Sequence, residues 1–359
     1  MTSSSRTRSL RRVGAWILAG LLVATTAACS DDDPEATADG DWPSTSSPVS
    51  ADGLVWASGS EVHLPDGSTI DTERQAGSYV VAGPGVWFAS ADGDDLGPGE
   101  LPVLRVATAD GVEETDAHPA VGTLTATSDG RWVAFIDRLD DGAGAAEAVV
   151  VDTTTGEEVV RSQEGLVPDG GGDEDWTDLY EDSPVGMLGV VDGTAYVKGL
   201  NLLVTHDLAT GESTTTDLDW DAVRQSDWFL ALDRQPPLWN DDRSWQIPAQ
   251  EYGADPVLES ADGERVTTST DGPPKQLGLR DLEAPQLESW VVGGWLDDET
   301  VVGLTPTQDG GEEDWTVPAL LTCTVPSGAC AVMEGTEEGV NLPADRPYGL
   351  PRERALTPG

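Results

Sequence analysis

The chain has 359 residues, with 19 Lys and Arg against 66 Asp and Glu, a formal net charge of −47. Nucleic-acid binding depends on neutralising phosphates with basic side chains, so this balance excludes that class. It also excludes electrostatic adhesion to an anionic bilayer, so any membrane attachment must be covalent or apolar. A hydrophobic share of 38% with 13 Trp supplies a core and excludes wholesale disorder. Acidity of this order keeps a protein soluble and monomeric.

Residues 1–28 read as an export signal. Arg6, Arg8, Arg11 and Arg12 form a basic region without acids, and an apolar run follows from Val13 to Ala24. That run is shorter than the about 20 residues needed to span a bilayer. The segment ends Thr25-Thr26-Ala27-Ala28-Cys29. Ala27, Ala28 and Cys29 resemble a bacterial lipobox, in which the cysteine thiol takes a diacylglycerol and becomes the mature N-terminus. Thr26 stands where that motif usually has Leu. Ordinary cleavage beside an incidental cysteine is the alternative. Against it, Cys29 sits where the apolar run stops, and the next cysteine is Cys323. Arg11-Arg12 also fits the twin-arginine export route, although Val13-Gly14-Ala15 replaces the bulky apolar residues expected there. Residues 29–50 are rich in Asp, Ser, Thr and Pro, with Trp42 the one large apolar residue. The composition predicts a disordered acidic tether.

From Leu54 the pattern changes to short runs of β-branched and aromatic residues separated by turn residues. Val121–Arg161 holds the best-formed unit. It contains Val121–Thr127, the turn Ser128-Asp129-Gly130, Arg131–Asp137, Ala148–Asp152, the turn Thr153–Gly156, and Glu157–Arg161. Asp-Gly and Thr-Gly supply the positive φ that tight hairpins need. About 40 residues therefore predict one four-stranded antiparallel meander, the size of a propeller blade. A second unit runs from Met187 to Glu212 and shares Asp-x-x-Thr-Gly-Glu with the first, at 152–157 and 207–212. Residues 220–255, dense in Trp and Pro, predict a distorted blade, and further strands are expected at 257–260, 265–268 and 276–279. The fold expected over residues 51–340 is an all-β propeller of about seven four-stranded blades, with six or eight as alternatives. A pair of stacked sheets is the competing architecture. An open ring would expose unpaired strand edges, so the first run at Leu54–Ala57 is expected to pair near the end of the chain. Residues 341–359, with Pro343, Pro347, Pro351 and Pro358, predict an exposed tail.

These turns and the Ala27-Ala28-Cys29 motif make the chain similar to bacterial lipoproteins that carry WD40-like or TolB-like β-propellers, especially those of high-GC Gram-positive, actinobacterial type. The Trp-Asp blade endings of true WD40 repeats do not occur. The resemblance implies a lipid anchor at Cys29 on the extracytoplasmic face of the cell membrane.

Cys323 and Cys330 flank Thr-Val-Pro-Ser-Gly-Ala, and cross-strand neighbours in such a hairpin lie within disulfide reach. Outside the cytoplasm they are expected to be oxidised. His63, His118 and His206 lie in three segments without metal-ligand spacing. No nucleophile elbow, phosphate-binding loop or dinucleotide fingerprint is present, so no catalytic residue is nominated. Two acidic segments, 169–177 and 309–316, resemble each other. Asp173, Asp175, Glu312 and Asp314 are weak candidates for Ca²⁺, set against a solvated acidic loop as the simpler reading. No other cofactor is expected. The expected function is non-catalytic binding or scaffolding of a protein, peptide or glycan at the cell envelope, with a hydrolase of envelope carbohydrate as the alternative.

Overall fold

A computed structural model describes residues 42–51, 53–90, 101–139, 145–167, 180, 183–232, 238–240, 242–247, 257–263, 265–267, 291–306, 318–325, 330–336 and 340–344. Contacts divide the chain into residues 1–39 and 40–359, and only the second unit contains described residues. The signal, Cys29 and most of the tether lie outside them, as do both acidic segments with Asp173, Asp175, Glu312 and Asp314.

The described residues form six antiparallel sheets, each a meander of strands consecutive in sequence. Blade I comprises β1 (Trp56–Ser58), β2 (Glu61–His63) and β3 (Thr69–Asp71). Blade II comprises β4 (Ala76–Ala82), β5 (Gly85–Ser90), β6 (Leu104–Thr108) and β7 (Gly111–Glu114). Blade III comprises β8 (Thr125–Ala126), β9 (Trp132–Arg138), β10 (Ala146–Asp152) and β11 (Glu157–Ser162). Blade IV comprises β12 (Gly186–Val191), β13 (Thr194–Lys198), β14 (Leu202–Asp207) and β15 (Ser213–Asp217). Blade V comprises β16 (Leu238–Trp239), β17 (Trp245–Ile247), β18 (Val257–Ser260) and β19 (Arg265–Thr267). Blade VI comprises β20 (Val291–Trp295), β21 (Thr300–Pro306), β22 (Pro318–Thr324) and β23 (Cys330–Val332). This succession of small meanders is a β-propeller.

The strands read as unbroken apolar runs because both faces of the sheets are buried. In β10, Ala148 and Val150 pack with Ala195, Val197 and Val204 of blade IV. The intervening Val149 and Val151 pack with Val80, Trp87 and Val106 of blade II. Strand alternation thus sends successive side chains into two different cores. Tyr79, Val81 and Phe88 do the same against Val62 and Ile70 of blade I. Each fully buried Val or Phe contributes about 1.5–3 kcal/mol relative to exposure.

The first run pairs near the end of the chain, as expected, through a single antiparallel bridge. Blade I has three strands, and the open edge of β1 is met by the C-terminal segment: Ala57 and Asn341 exchange both backbone hydrogen bonds, at 2.8 and 2.9 Å. The Tyr79 hydroxyl donates to the Asn341 carbonyl, and the Asn341 side chain donates to the Ala76 carbonyl. Trp56 packs with Val302, Leu320 and Val340 beneath this seam. Residues 340–344 therefore pack against blades I, II and VI and are not a tail, so the boundary drawn from proline content falls within a packed segment.

Two further boundaries move. The region read as a distorted blade begins with two short helices, α1 (Trp220–Arg224) and α2 (Asp227–Leu232). Asp219 caps α1 by accepting from the Asp221 and Ala222 amides, a local arrangement that the Trp content hid. Residues 238–267 then make one sheet instead of parts of two, which lowers the count among the described residues to six. The expected strand at 276–279 lies outside the described residues.

The end of the expected tether is also packed. Trp42, Thr45 and Val49 donate backbone bonds to Gly156, Thr153 and Gly83, which sit in hairpin turns of blades III and II. Trp42 rests on Trp87 and Phe135, and its indole N–H donates to Glu158 at 3.3 Å. A Cβ on Gly156, whose φ is +77°, would lie 2.5 Å from the Trp42 carbonyl oxygen, so the turn glycine is needed twice over. Glu158 is itself held by Arg161, which also reaches Asp137 and Glu147 at 2.8–2.9 Å. Burial alone would lower the Arg161 pKa, but hydrogen bonds to Glu158, Glu147 and Asp137 raise it, so the guanidinium is permanently charged. Because Trp42 is only half-buried, Trp42→Ala is expected to destabilise the fold by about 2 kcal/mol, below the range for a fully buried Trp. A urea titration checks this.

Candidate functional site

Blade IV presents one face to blade III and the other to the helices. Along β13, Ala195 and Val197 enter the core shared with blade III, while Thr194, Tyr196 and Lys198 point the opposite way. Ser226 links the two helices that meet this second face. Its hydroxyl donates to the Val223 carbonyl at 2.6 Å and accepts from the Phe229 amide at 3.4 Å.

Helix α2 can approach because β12 carries a bulge between Met187 and Gly189. Gly189 has φ +141°, and a Cβ there would lie 2.6 Å from Leu232 Cδ2. With Leu232 seated on Gly189, Trp228 stacks on Tyr196 with ring centroids 3.8 Å apart and planes 8° from parallel. Phe229 meets Trp228 edge-on at 5.7 Å. Lys198, further along the strand, lies over the Trp220 ring at 5.9 Å, and its burial lowers its pKa.

Beside the Tyr196–Trp228 stack is an open cleft of about 410 Å³, lined by Val191, Asp192, Thr194, Tyr196, Asp227 and Trp228. Asp192 comes from the β12–β13 turn and Asp227 begins α2; both are exposed. Burial, with the Asp192 charge second, raises the Tyr196 pKa, so the phenol stays neutral and able to donate. An aromatic wall flanked by carboxylates can hold a ligand by stacking and by ionic contact. A second cleft of about 370 Å³ lies between the outer turns of blades I and II, around Asp71, Glu73 and Asp110, and has no aromatic wall.

The sequence-nominated residues do not converge on this cleft. Cys323 and Cys330 are directly opposed in the β22–β23 ladder. His63 stacks on Trp56 at 3.7 Å, and the His118 amide donates to Asp137 at 2.7 Å. His206 is 4% exposed, in the core-facing register of β14, and its Nε2 has no hydrogen-bond partner among the described residues. No group of three or more metal-binding side chains occurs among the described residues. Sequence reading placed Tyr196 in a strand and Trp228 in a Trp-dense stretch. It could not join them, because the junction depends on the Gly189 bulge and a six-residue helix.

The motif Asp-x-x-Thr-Gly-Glu proves to be architectural. Asp152 accepts from the Thr154 amide and hydroxyl at 2.9 and 2.5 Å and from Arg131 at 2.8 Å. Asp207 accepts from the Ala209 and Thr210 amides, both at 2.9 Å. Each carboxylate satisfies the amides of its own hairpin turn.

No family profile matches the chain, and no curated protein matches it. Among solved structures it is similar to a putative TolB from Agrobacterium tumefaciens, at 12% identity over 78% of this chain and 80% of that one, with a TM-score of 0.29. It is also similar to the β-propeller domain of the Trilobed protease from Pyrococcus furiosus, at 11% identity over 74% and 73%, TM-score 0.25. An oligogalacturonate lyase from Vibrio parahaemolyticus matches at 11% identity over 82% and 77%, TM-score 0.28. The fold assignment rests on the sheets themselves.

Two outcomes are expected. Gly189→Ala combines a clash with an unfavourable φ and should cost about 1–3 kcal/mol in a denaturant titration. Burial lowers the His206 pKa, while Glu164 opposes that shift. The unfolded chain therefore takes up a proton near the ordinary value of 6.5, before the folded chain does. Stability is complete above that pH and falls as the pH drops through it. Thermal midpoints recorded between neutral and mildly acidic pH should fall less steeply in His206→Gln. The residual slope would come from His63, which burial shifts in the same direction.

Proposed function

We propose that this β-propeller is exported, anchored by a lipid at Cys29, and binds a protein or glycan partner at the extracytoplasmic face of the cell membrane without catalysing a reaction on it. The observation that carries the binding role is the blade IV cleft, where an aromatic stack is flanked by exposed carboxylates. The anchor is supported by Ala27-Ala28-Cys29 at the end of the apolar run and by the polar residues that follow. Two acyl chains would hold the protein stably where one would not.

A glycoside hydrolase would need two carboxylates about 5–10 Å apart across a sugar-sized cleft. Asp137, Glu147 and Glu158 are instead occupied by Arg161, and Glu164 accepts from the Ser213 and Thr215 hydroxyls. These four carboxylates serve the packing of blades III and IV, and Asp192 and Asp227 beside the blade IV cleft are read as ligand contacts. The protein is proposed to act as a monomer without a cofactor. The opposed register of Cys323 and Cys330 supports a disulfide that staples the outer hairpin of blade VI after export.

Mass spectrometry of the membrane-extracted protein tests these assignments together. The mature chain should begin at a diacylated Cys29, and the other two cysteines should resist alkylation until reduced. Cys29→Ser should release the protein from the membrane fraction. An intact amino terminus, or retention of that variant, overturns the anchor.

A further inference from the structure

We propose that the blade IV cleft receives the cationic side chain of a lysine or arginine on a protein partner. The inference rests on the binding role proposed above and specifies its chemistry. Three observations point the same way. Tyr196 and Trp228 line the wall, each with one ring face taken by the other, and the outward face of an aromatic ring attracts an ammonium or guanidinium group. Asp192 and Asp227 line the same cleft, and neither forms an ion pair among the described residues. The nearest cation on that face of β13, Lys198, is already placed over Trp220.

The chain uses this contact elsewhere in its own packing: Arg131 lies over Trp132 at 4.5 Å and Arg138 over Tyr180 at 4.8 Å. In the cleft the aromatic wall and the carboxylates are present, and among the described residues no Lys or Arg lines it. A formal charge of −47 steers basic partners toward the surface and repels acidic ones. The cleft is open to solvent, which suits a side chain projecting from a larger surface. A free small cation would find only part of its surface covered.

The test uses the propeller-bearing chain and short peptides with a single basic residue, followed through the Trp228 indole N–H resonance, which Trp228→Phe assigns. Lysine and arginine peptides should shift that resonance, whereas their Nε-acetyl-lysine and citrulline counterparts should not. Asp192→Asn combined with Asp227→Asn changes only exposed groups and should weaken binding about tenfold. The matched change Asp71→Asn with Asp110→Asn, in the cleft without an aromatic wall, should alter it by less than about twofold. Equal binding of charged and neutral peptides, or an unchanged affinity in the Asp192/Asp227 variant, would overturn the proposal. Tetramethylammonium binding as tightly as the peptides would overturn the assignment to a protein partner. Capture of envelope proteins equally by the parent and this variant would remove the cleft from the role while leaving the binding function in place.

Discussion

A propeller is a row of sheets that must be bent round and fastened, and in this chain the fastening is local. Ala57 and Asn341 exchange two backbone hydrogen bonds across 284 positions of sequence (341 minus 57). Such bonds contribute about 0.5–1.5 kcal/mol each, which alone would not offset the entropy of joining distant segments. They hold because Trp56, Val340 and Leu320 are buried beneath them, and because Tyr79 and Ala76 of the next blade bond to the same asparagine. Without this seam, the edge of β1 and one face of blade VI would meet water. The other blades would still be stacked, but as an open row with two liabilities at its ends.

The same two-sided burial explains which parts of the fold were legible in the sequence. In β10 all of Ala148–Val151 is apolar, because alternate residues serve two cores. The turns could be read because Gly and Asp are chosen for backbone reasons that do not depend on distant neighbours. Closure could be anticipated from the cost of open edges, although the closing residue could not. Asn341 lies in a proline-rich stretch whose composition suggests a tail, and its role comes entirely from partners more than 260 positions away.

The candidate cleft was illegible for a related reason. Asp192 belongs to a hairpin turn, Tyr196 to a strand and Trp228 to a short helix, and each is adequately explained by its local role. What brings them together is the missing side chain at Gly189, a residue that in sequence is one glycine among 41. The two copies of the Asp-x-x-Thr-Gly-Glu turn make the point from the other side. Gly156 is packed against the Trp42 carbonyl, whereas nothing lies within 4 Å of the corresponding position on Gly211. Identical motifs therefore carry different duties, and only the surrounding chain distinguishes them.

The docking of Trp42, Thr45 and Val49 has a mechanical consequence. Tension applied from the amino end would reach the folded body through three backbone bonds spread over the turns of blades II and III, reinforced by an indole wedged against Trp87 and Phe135. Those blades share apolar cores with their neighbours, so a tug is spread over several sheets. The two-bond clasp at Ala57 and Asn341 lies beyond this grip and is shielded from the pull.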